Sequence, residues 1–480
     1  MTGAARRPWR LAVVGGGLTG LSAAYYAQRM AQEQGRGVEI TLIEASERLG
    51  GRIETLRRDG FVIEKGPDSF LARKQPMLDL AEELGLTSEL VRTNPEARKT
   101  YIYNRGRLHA MPAGLVLGVP TDLEAFGRSE LLTEAGKARV LQDLELPPQP
   151  GDTDESVGDF LERRIGAEAM ERIAEPLLAG IYAGDLRGLG LRATFPQFRD
   201  AELRHGSLIR GMQASRKVSP PQPTLPDALK GSLFLTYRRG LSSLVEALEA
   251  AMPRLSRRLA CRVEAIRRST ASAYELELQG GERLEADAVV LTAPAPAAAA
   301  LLRPLTDTAA LDAVRYVSVA NVVLAFDRTR ALRDAFDGSG FLVPRTEGRT
   351  ITACTWTSAK WLHSSPPDKA LLRCYVGRAG DEAPVELDDD ELVARVRSDM
   401  REIMGIDADP LFAEITRLRR SMPQYPVGHV EQTAAMRARL AQELPGLWVT
   451  GAAFDGVGLA DCIRQGKEAA AALLARLNGL

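Results

Sequence analysis

Cysteine and histidine are scarce, with four of each in 480 residues. Cys261, Cys354, Cys374 and Cys462 are dispersed and form no C-x-x-C pair, which argues against a disulfide framework and predicts reduced cytosolic thiols. His109, His205, His363 and His429 are equally scattered, so neither a metal site nor a histidine-based triad is spelled out. Long apolar runs are missing too. No stretch approaches the ~20 uninterrupted apolar residues that span a bilayer. The opening MTGAARRPWR leads straight into an apolar strand without a signal-peptide apolar region, and a cytoplasmic location is expected. An excess of one charge is also lacking: 62 basic and 63 acidic residues give a net charge of −1, with both signs spread along the chain. That balance argues against a nucleic-acid partner. The length accommodates two or three domains and a large core.

What is present starts at LAVVGGGLTGLSAAYYAQ. An apolar strand, Leu11 to Val14, runs into Gly15, Gly16 and Gly17, and a helical pattern begins at Leu18 and Thr19. In a dinucleotide site Gly15 permits the tight turn, Gly17 lets the backbone approach a pyrophosphate, and Gly20 lets helix and strand pack closely. The first amides of the helix then face the phosphate charge. A second strand, Val38 to Ile43, ends at Glu44, 24 residues past Gly20, where a carboxylate accepts hydrogen bonds from a ribose. Beyond it, SERLGGRIET places Gly50-Gly51-Arg52 where a nicotinamide site rarely continues this way. A glycine pair followed by a cation suits a flavin dinucleotide, whose pyrophosphate needs close backbone approach and a positive partner. FAD is therefore the expected cofactor.

The C-terminus carries the second signal. A strand over Leu447–Thr450 ends at Gly451, and Gly456-Val457-Gly458 opens a long Ala-rich helix at Leu459. A helix N-terminus aimed at the pyrimidine end of a flavin stabilises negative charge on the reduced ring. Between these ends, residues 75–211 read as mostly helical, and a proline-rich loop is expected at 215–231. Strand patterning takes over at SLFLTYRRG, CRVEAIRRS, SAYELELQGG and ADAVVLTAP. The region 313–427 mixes strands such as SVANVVLAF and LLRCYVG with a helix over Asp388 to Met404.

These motifs resemble those of the flavin-dependent porphyrinogen oxidases of heme biosynthesis, within the wider amine-oxidase-like flavoproteins. GGGLTGLSAAYY and EASERLGGRI are shared across the wider group. DGFVIEKGPDSFLARK, EPLLAGIYAGD, ATFPQF, ITACTWTSAKW, SMPQYPVGH and GVGLADCIRQG are more specific and look most like the Gram-positive branch, whose product is coproporphyrin III and whose members often accept protoporphyrinogen IX. The resemblance implies an α/β fold with a Rossmann-like FAD-binding domain, a mixed α+β substrate domain and a helical domain. The expected FAD-binding domain is discontinuous (8–56, 232–298 and 428–480). The substrate domain takes 57–106, 212–231 and 299–427, and the helical, family "membrane-binding" domain takes 107–211. Cofactor contacts carried over are Gly15 to Gly20, Glu44, Ala45, Arg52, Gly66, Pro67, Asp68, Ser69, Val263, Val457, Gly458 and Leu459. Leu418 stands where relatives carry an aromatic near the flavin.

The implied activity is oxygen-dependent aromatisation of coproporphyrinogen III by repeated hydride transfer to a non-covalently held FAD, with hydrogen peroxide released. The flavin carries that chemistry, so no catalytic side chain is assigned. A porphyrinogen is a wide apolar disc with carboxylates at its rim, so an apolar slot with cations at its mouth is expected. Arg73, Lys74 and Lys360 are the candidate cations, and Ile181 and Tyr375 the candidate slot residues. Expected partners are the porphyrinogen, dioxygen and transiently the next heme-pathway enzyme, with at most peripheral membrane contact through MPAGLVLGVP, where a helical lid over the substrate channel is the favoured reading. Protoporphyrinogen IX as the physiological substrate, an amine oxidase or desaturase on the same fold, and a non-catalytic FAD-binding scaffold remain as alternatives.

Overall fold

A computed structural model of the chain describes residues 7–151, 153–217, 225–270, 272–331 and 336–479. The centre of the expected proline-rich loop, 218–224, lies outside them.

Five parallel strands form the first layer, in the spatial order Ser256–Arg258, Val38–Ile43, Trp9–Val14, Ala288–Leu291, Leu447–Val449. In chain order this is 3-2-1-4-5, the doubly wound arrangement whose ligand crevice opens where the order reverses, beside the first strand. The strands come from three distant parts of the chain, so the sheet closes only when both ends meet. Val13, Leu42 and Val290 are fully buried, as parallel strands covered on both faces require. The helices Leu18–Glu33 and Leu459–Asn478 cross on one face. Small residues allow that approach: Ala23, Ala24, Ala469 and Ala470 are wholly buried, and a Cβ on Gly466 would run into the Thr19 carbonyl.

The second layer is a seven-stranded sheet. Its order is Phe412–Gln424, Arg315–Asp327, Lys369–Val376, Ile351–Trp356, Gly338–Leu342, Lys99–Asn104, Arg107–Ala110. One face packs Val322, Leu324, Leu372 and Cys374 against Leu392, Val396 and Met400 of the helix Asp389–Met404. That helix starts where its pattern predicts, since the Asp388 carboxylate caps it by accepting from the Glu391 amide at 2.8 Å. The opposite face presents Asn321, Val323, Arg373 and Tyr375, which are cross-strand neighbours.

Residues 75–211 depart from the mostly helical expectation. Helix Gln75–Glu83 is followed by the strands Leu90–Arg92, Lys99–Asn104 and Arg107–Ala110, and helices dominate only after Thr121. Thr100-Tyr101-Ile102-Tyr103 is rich in strand formers, and Arg105 and Gly106 both have positive φ, +52° and +77°, which closes a two-residue hairpin. Tyr101 pairs with Ala110, so a boundary between 106 and 107 falls inside this hairpin. MPAGLVLGVP is likewise not helical; helices Leu123–Gly127 and Glu134–Leu141 follow it. Leu115–Val116 pairs with Val119–Pro120 around Leu117 and Gly118, and Leu115, Val116 and Leu117 pack against the helical core.

In that core the apolar pattern of AEAMERIAEPLLAGIY forms a π-helical turn, Met170–Ala174, continuing into the helix Glu175–Tyr182. Pro176 has no N–H to donate backward, and the wider turn accommodates it. Among the described residues no helix is long and apolar enough to cross a membrane.

Candidate active site

The first strand ends in a glycine turn that the neighbouring strand dictates. Gly15 adopts φ +111°, and a Cβ there would strike the hydroxyl of Thr292 at the end of strand Ala288–Leu291. A Cβ on Gly20 would collide with the Gly15 carbonyl oxygen, so helix and strand meet only because Gly20 has none. Gly17 faces the most open space of the four N-terminal glycines, its nearest neighbour being the Gly51 Cα at 3.9 Å from an added Cβ. Gly17 bridges Gly50, and the Gly50 amide donates to the Gly16 carbonyl at 2.8 Å. The GGR motif is thereby laid directly on the glycine turn.

Glu44 sits at the end of the second strand. Its carboxylate accepts from the Gly16 amide at 2.7 Å and from the Ser46 amide at 2.8 Å. Each oxygen keeps a lone pair for a further donor. Ala45 follows it, and the Cys261 and Ala260 amides donate to the Glu44 and Ser46 carbonyls, which brings buried Val263 to the same edge. Leu18 and Thr19, which open the helix, are buried. Arg52 makes no ion pair among the described residues; surrounding protein and Arg48 hold its guanidinium pKa below the usual value. An unpaired arginine beside an open glycine turn is the chemistry a pyrophosphate requires.

The C-terminal glycines join the same groove. An added Cβ on Gly451 would lie 3.5 Å from the Thr292 carbonyl and 3.8 Å from the Thr19 hydroxyl. Gln465, almost wholly buried, accepts from the Gly451 amide at 3.2 Å. Gly458 caps the final helix, Leu459 packs on the core shared by the parallel sheet and the helices Leu18–Glu33 and Leu459–Asn478, and Val457 on the helical core. Asp461, in the first turn, lies against Gly456 and Gly458 and pairs with Lys74 at 3.0 Å.

The Gly66-Pro67-Asp68-Ser69 loop closes the groove from the seven-stranded sheet. A Cβ on Gly66 would collide with the Arg52 carbonyl. Arg373 donates to the Gly66 carbonyl, and Asn321 to the Lys65 carbonyl at 2.9 Å. Asp68 pairs with Lys360 at 3.1 Å and accepts from the Ser69 hydroxyl at 2.7 Å. Burial opposes its ionisation, yet Lys360 and Arg373 hold its pKa well below the ordinary carboxylate value.

The expected cationic mouth is not assembled. Lys360 lies within 5.3 Å of the Phe234 and Trp361 rings, and an enclosed ammonium of that kind must be paired, which Asp68 does. Lys74 is taken by Asp461, which leaves Arg73, exposed and at the start of helix Gln75–Glu83. Ile181 is 44% exposed on the helix Glu175–Tyr182, and Tyr375 lies in the strand Lys369–Val376. The Tyr375 hydroxyl lies 3.3 Å from that of Thr355, and Arg373 stacks 5.0 Å over its ring. Leu418 stands in the edge strand opposite Val319. Sequence reasoning missed Thr292, Asn321, Arg373 and Gln465. Only Arg373 leaves a signal, as a charge inside the apolar run ALLRCYV.

The family model for flavin containing amine oxidoreductases matches residues 18–474. The chain is 43% identical over 457 residues to the coproporphyrinogen III oxidase of Bacillus subtilis (strain 168), covering 95% of this chain and 96% of that protein. It is 40% identical to the coproporphyrinogen III oxidase of Staphylococcus aureus (strain NCTC 8325 / PS 47), covering 97% and 99%. A crystal structure from Exiguobacterium sp. 255-15, of a protein named for protoporphyrinogen oxidase, superposes with a TM-score of 0.87 at 39% identity and covers 98% and 99% of the two chains.

Proposed function

Because the chain belongs to the flavin containing amine oxidoreductase family, we propose that it oxidises a porphyrinogen in heme biosynthesis, with coproporphyrinogen III as the preferred substrate and dioxygen as the electron acceptor. The observation that carries this reading is full-length identity of 43% to a protein named coproporphyrinogen III oxidase. The alternative substrate, protoporphyrinogen IX, is favoured by the name of the Exiguobacterium protein.

The groove fits FAD on three grounds internal to the structure: the open face of Gly17 against Gly51, the unpaired Arg52, and the helix N-terminus at Gly458. In this reading the Gly15–Gly20 turn and Arg52 take the pyrophosphate, and Glu44 takes the adenosine ribose through its spare lone pairs. Gly66–Ser69 and Val457–Leu459 border the ring. Bound there, the flavin supplies hydride acceptance, once for each of three two-electron steps from porphyrinogen to porphyrin. The chain's own task is to orient a meso carbon and exclude water, since aromatisation is strongly downhill and needs no strong base. The final helix N-terminus offers positive potential to charge on the ring.

The cofactor is held without a covalent bond. Cys462, the nearest thiol to the glycine loop, is buried, and burial pushes its pKa up to about 11, so it stays a thiol at neutral pH. In this reading the chain keeps FAD, substrate and helical domains, but the hairpin Lys99–Ala110 goes whole to the substrate domain, and the segment 70–92, which pairs with Phe234–Tyr237 and packs in the same core, goes to the FAD-binding domain. The substrate lies between the seven-stranded sheet and the helical region, where Ile181 and Tyr375 flank it and, of the three candidate cations, Arg73 has no ion pair among the described residues. Purified protein mixed with each porphyrinogen under air tests this, with porphyrin fluorescence read against an enzyme-free control. No acceleration with FAD bound would favour a non-catalytic scaffold.

A further inference from the structure

Beside the Gly66–Ser69 loop lies a small, partly open cavity to which no step of the proposed chemistry has been assigned. It has about 20 Å³ of space for a water, and Glu64, Asp68, Thr236, Trp361, His363 and Arg373 contribute to its wall. Three buried polar atoms of the lining residues have no hydrogen-bond partner among the described residues: Thr236 Oγ1, Trp361 Nε1 and Arg373 Nε. Their residues are 3%, 3% and 5% exposed, so bulk solvent does not satisfy them. Orphaned polar atoms of this kind are costly unless something fills the space. A single water fits the volume, which exceeds the ~10–15 Å³ that one water requires. A water accepting from Arg373 Nε and Trp361 Nε1 and donating to Thr236 Oγ1 and a carboxylate oxygen would satisfy all three. An anion is disfavoured by the two carboxylates, Glu64 and Asp68, and an organic ligand by the size.

Arg373 has a second engagement, its bond to the Gly66 carbonyl. Glu64, on the strand leading into the same loop, accepts from the Leu241 amide at 2.6 Å and the Thr55 hydroxyl at 2.8 Å. We propose that the cavity holds one water and that Glu64, this water and Arg373 form a positioning unit that sets the Gly66–Ser69 loop against FAD. The proposal rests on the reading that this loop borders the cofactor.

Glu64 makes the unit sensitive to pH. Enclosure raises its pKa to about 7 against the opposing bonds from Leu241 and Thr55 and the Arg373 charge, and Asp68 raises it further. The other groups facing it keep one charge near neutrality. Asp68 stays ionised against Lys360, and His363, whose pKa falls to about 4 through burial and Arg238, stays neutral. FAD brings a negative pyrophosphate, so it binds better to the form with neutral Glu64. Affinity therefore falls as pH rises through about 7.

The test is titration of apoprotein with FAD by flavin fluorescence at several values between about pH 6 and pH 9, together with a crystal structure of the holoenzyme. Wild type is expected to lose affinity around pH 7. Glu64→Gln, which keeps the shape and removes the charge, is expected to hold the low-pH affinity throughout. Arg373→Met is expected to weaken binding roughly ten- to a hundredfold and, by removing the cation, to move the inflection upward. Arg373→Lys, which keeps the charge but not the fork, leaves the inflection near wild type while affinity still falls. A flat wild-type profile, an inflection surviving in Glu64→Gln, or a dry cavity in the holoenzyme overturns the proposal. Failure of wild type to bind FAD at any pH overturns the cofactor reading along with it.

Discussion

Replacing Lys360 with methionine separates two roles for the same side chain. From sequence it is a rim cation that meets a substrate carboxylate; in the structure it faces Asp68 at 3.1 Å. The two side chains are only 15% and 21% exposed, so the pair is largely shielded from water. Removing one partner of a buried pair costs about 3–5 kcal/mol because the other charge is left uncompensated. Asp68 keeps the Ser69 hydroxyl and the nearby Arg373 charge, so about 2–3 kcal/mol is expected at neutral pH.

The sign with pH follows from the depressed folded-state pKa of Asp68. Its pairing stabilises the fold above the unfolded carboxylate value and loses that contribution as pH falls through the folded one. The gap between wild type and Lys360→Met is therefore full at pH 7 and closes only in strong acid. Urea unfolding followed by fluorescence measures it, using midpoints because a chain of several regions need not unfold in two states. Asp68→Asn in the Lys360→Met background should recover most of the loss, since a neutral amide needs no cation. Unchanged unfolding midpoints with a raised KM for the carboxylated substrate would refute this and restore the rim assignment.

Glu44→Ala should weaken FAD binding about ten- to a hundredfold, the cost of one charge-assisted hydrogen bond, with the effect read by titrating apoprotein. Unchanged affinity would remove Glu44 from the ribose site. Acid precipitation of the holoprotein should release all flavin to the supernatant, because Cys462 is buried and protonated; colour on the pellet would contradict this. With Arg73 as the sole unpaired member of the expected cation set, two extra carboxylates gain only ~0.3–1 kcal/mol. The preference for coproporphyrinogen over protoporphyrinogen from charge alone should then be about two- to fivefold and shrink with salt, which the ratio of kcat/KM at low and high ionic strength measures.

The glycine groove was legible because its geometry is imposed by absent side chains. A Cβ at Gly15 or Gly20 strikes Thr292 or the Gly15 carbonyl, and one at Gly17 enters the open space beside Gly51, so their spacing is written in residue type. The capping Asp388 and the alternating strands were readable for the same local reason. Residues 90–120 misled because short strands completing a distant sheet carry little periodicity, and Lys99–Asn104 is a strand partly through its parallel pairing with Gly338–Leu342. The substrate cations misled differently. A lysine in sequence shows its charge but not the carboxylate 292 positions away that neutralises it. Arg373 and Asn321, which tie the sheet to the Lys65–Gly66 backbone, act through contacts of similarly long range.

The central claim, porphyrinogen oxidation by a flavin held in this groove, is tested most directly by comparing turnover of coproporphyrinogen III and protoporphyrinogen IX by the purified, FAD-loaded protein under air. The account predicts oxygen-dependent porphyrin formation far above the enzyme-free rate for both, with the higher kcat/KM for coproporphyrinogen III. Porphyrin formation no faster than in the enzyme-free control, in protein that demonstrably carries FAD, would contradict it.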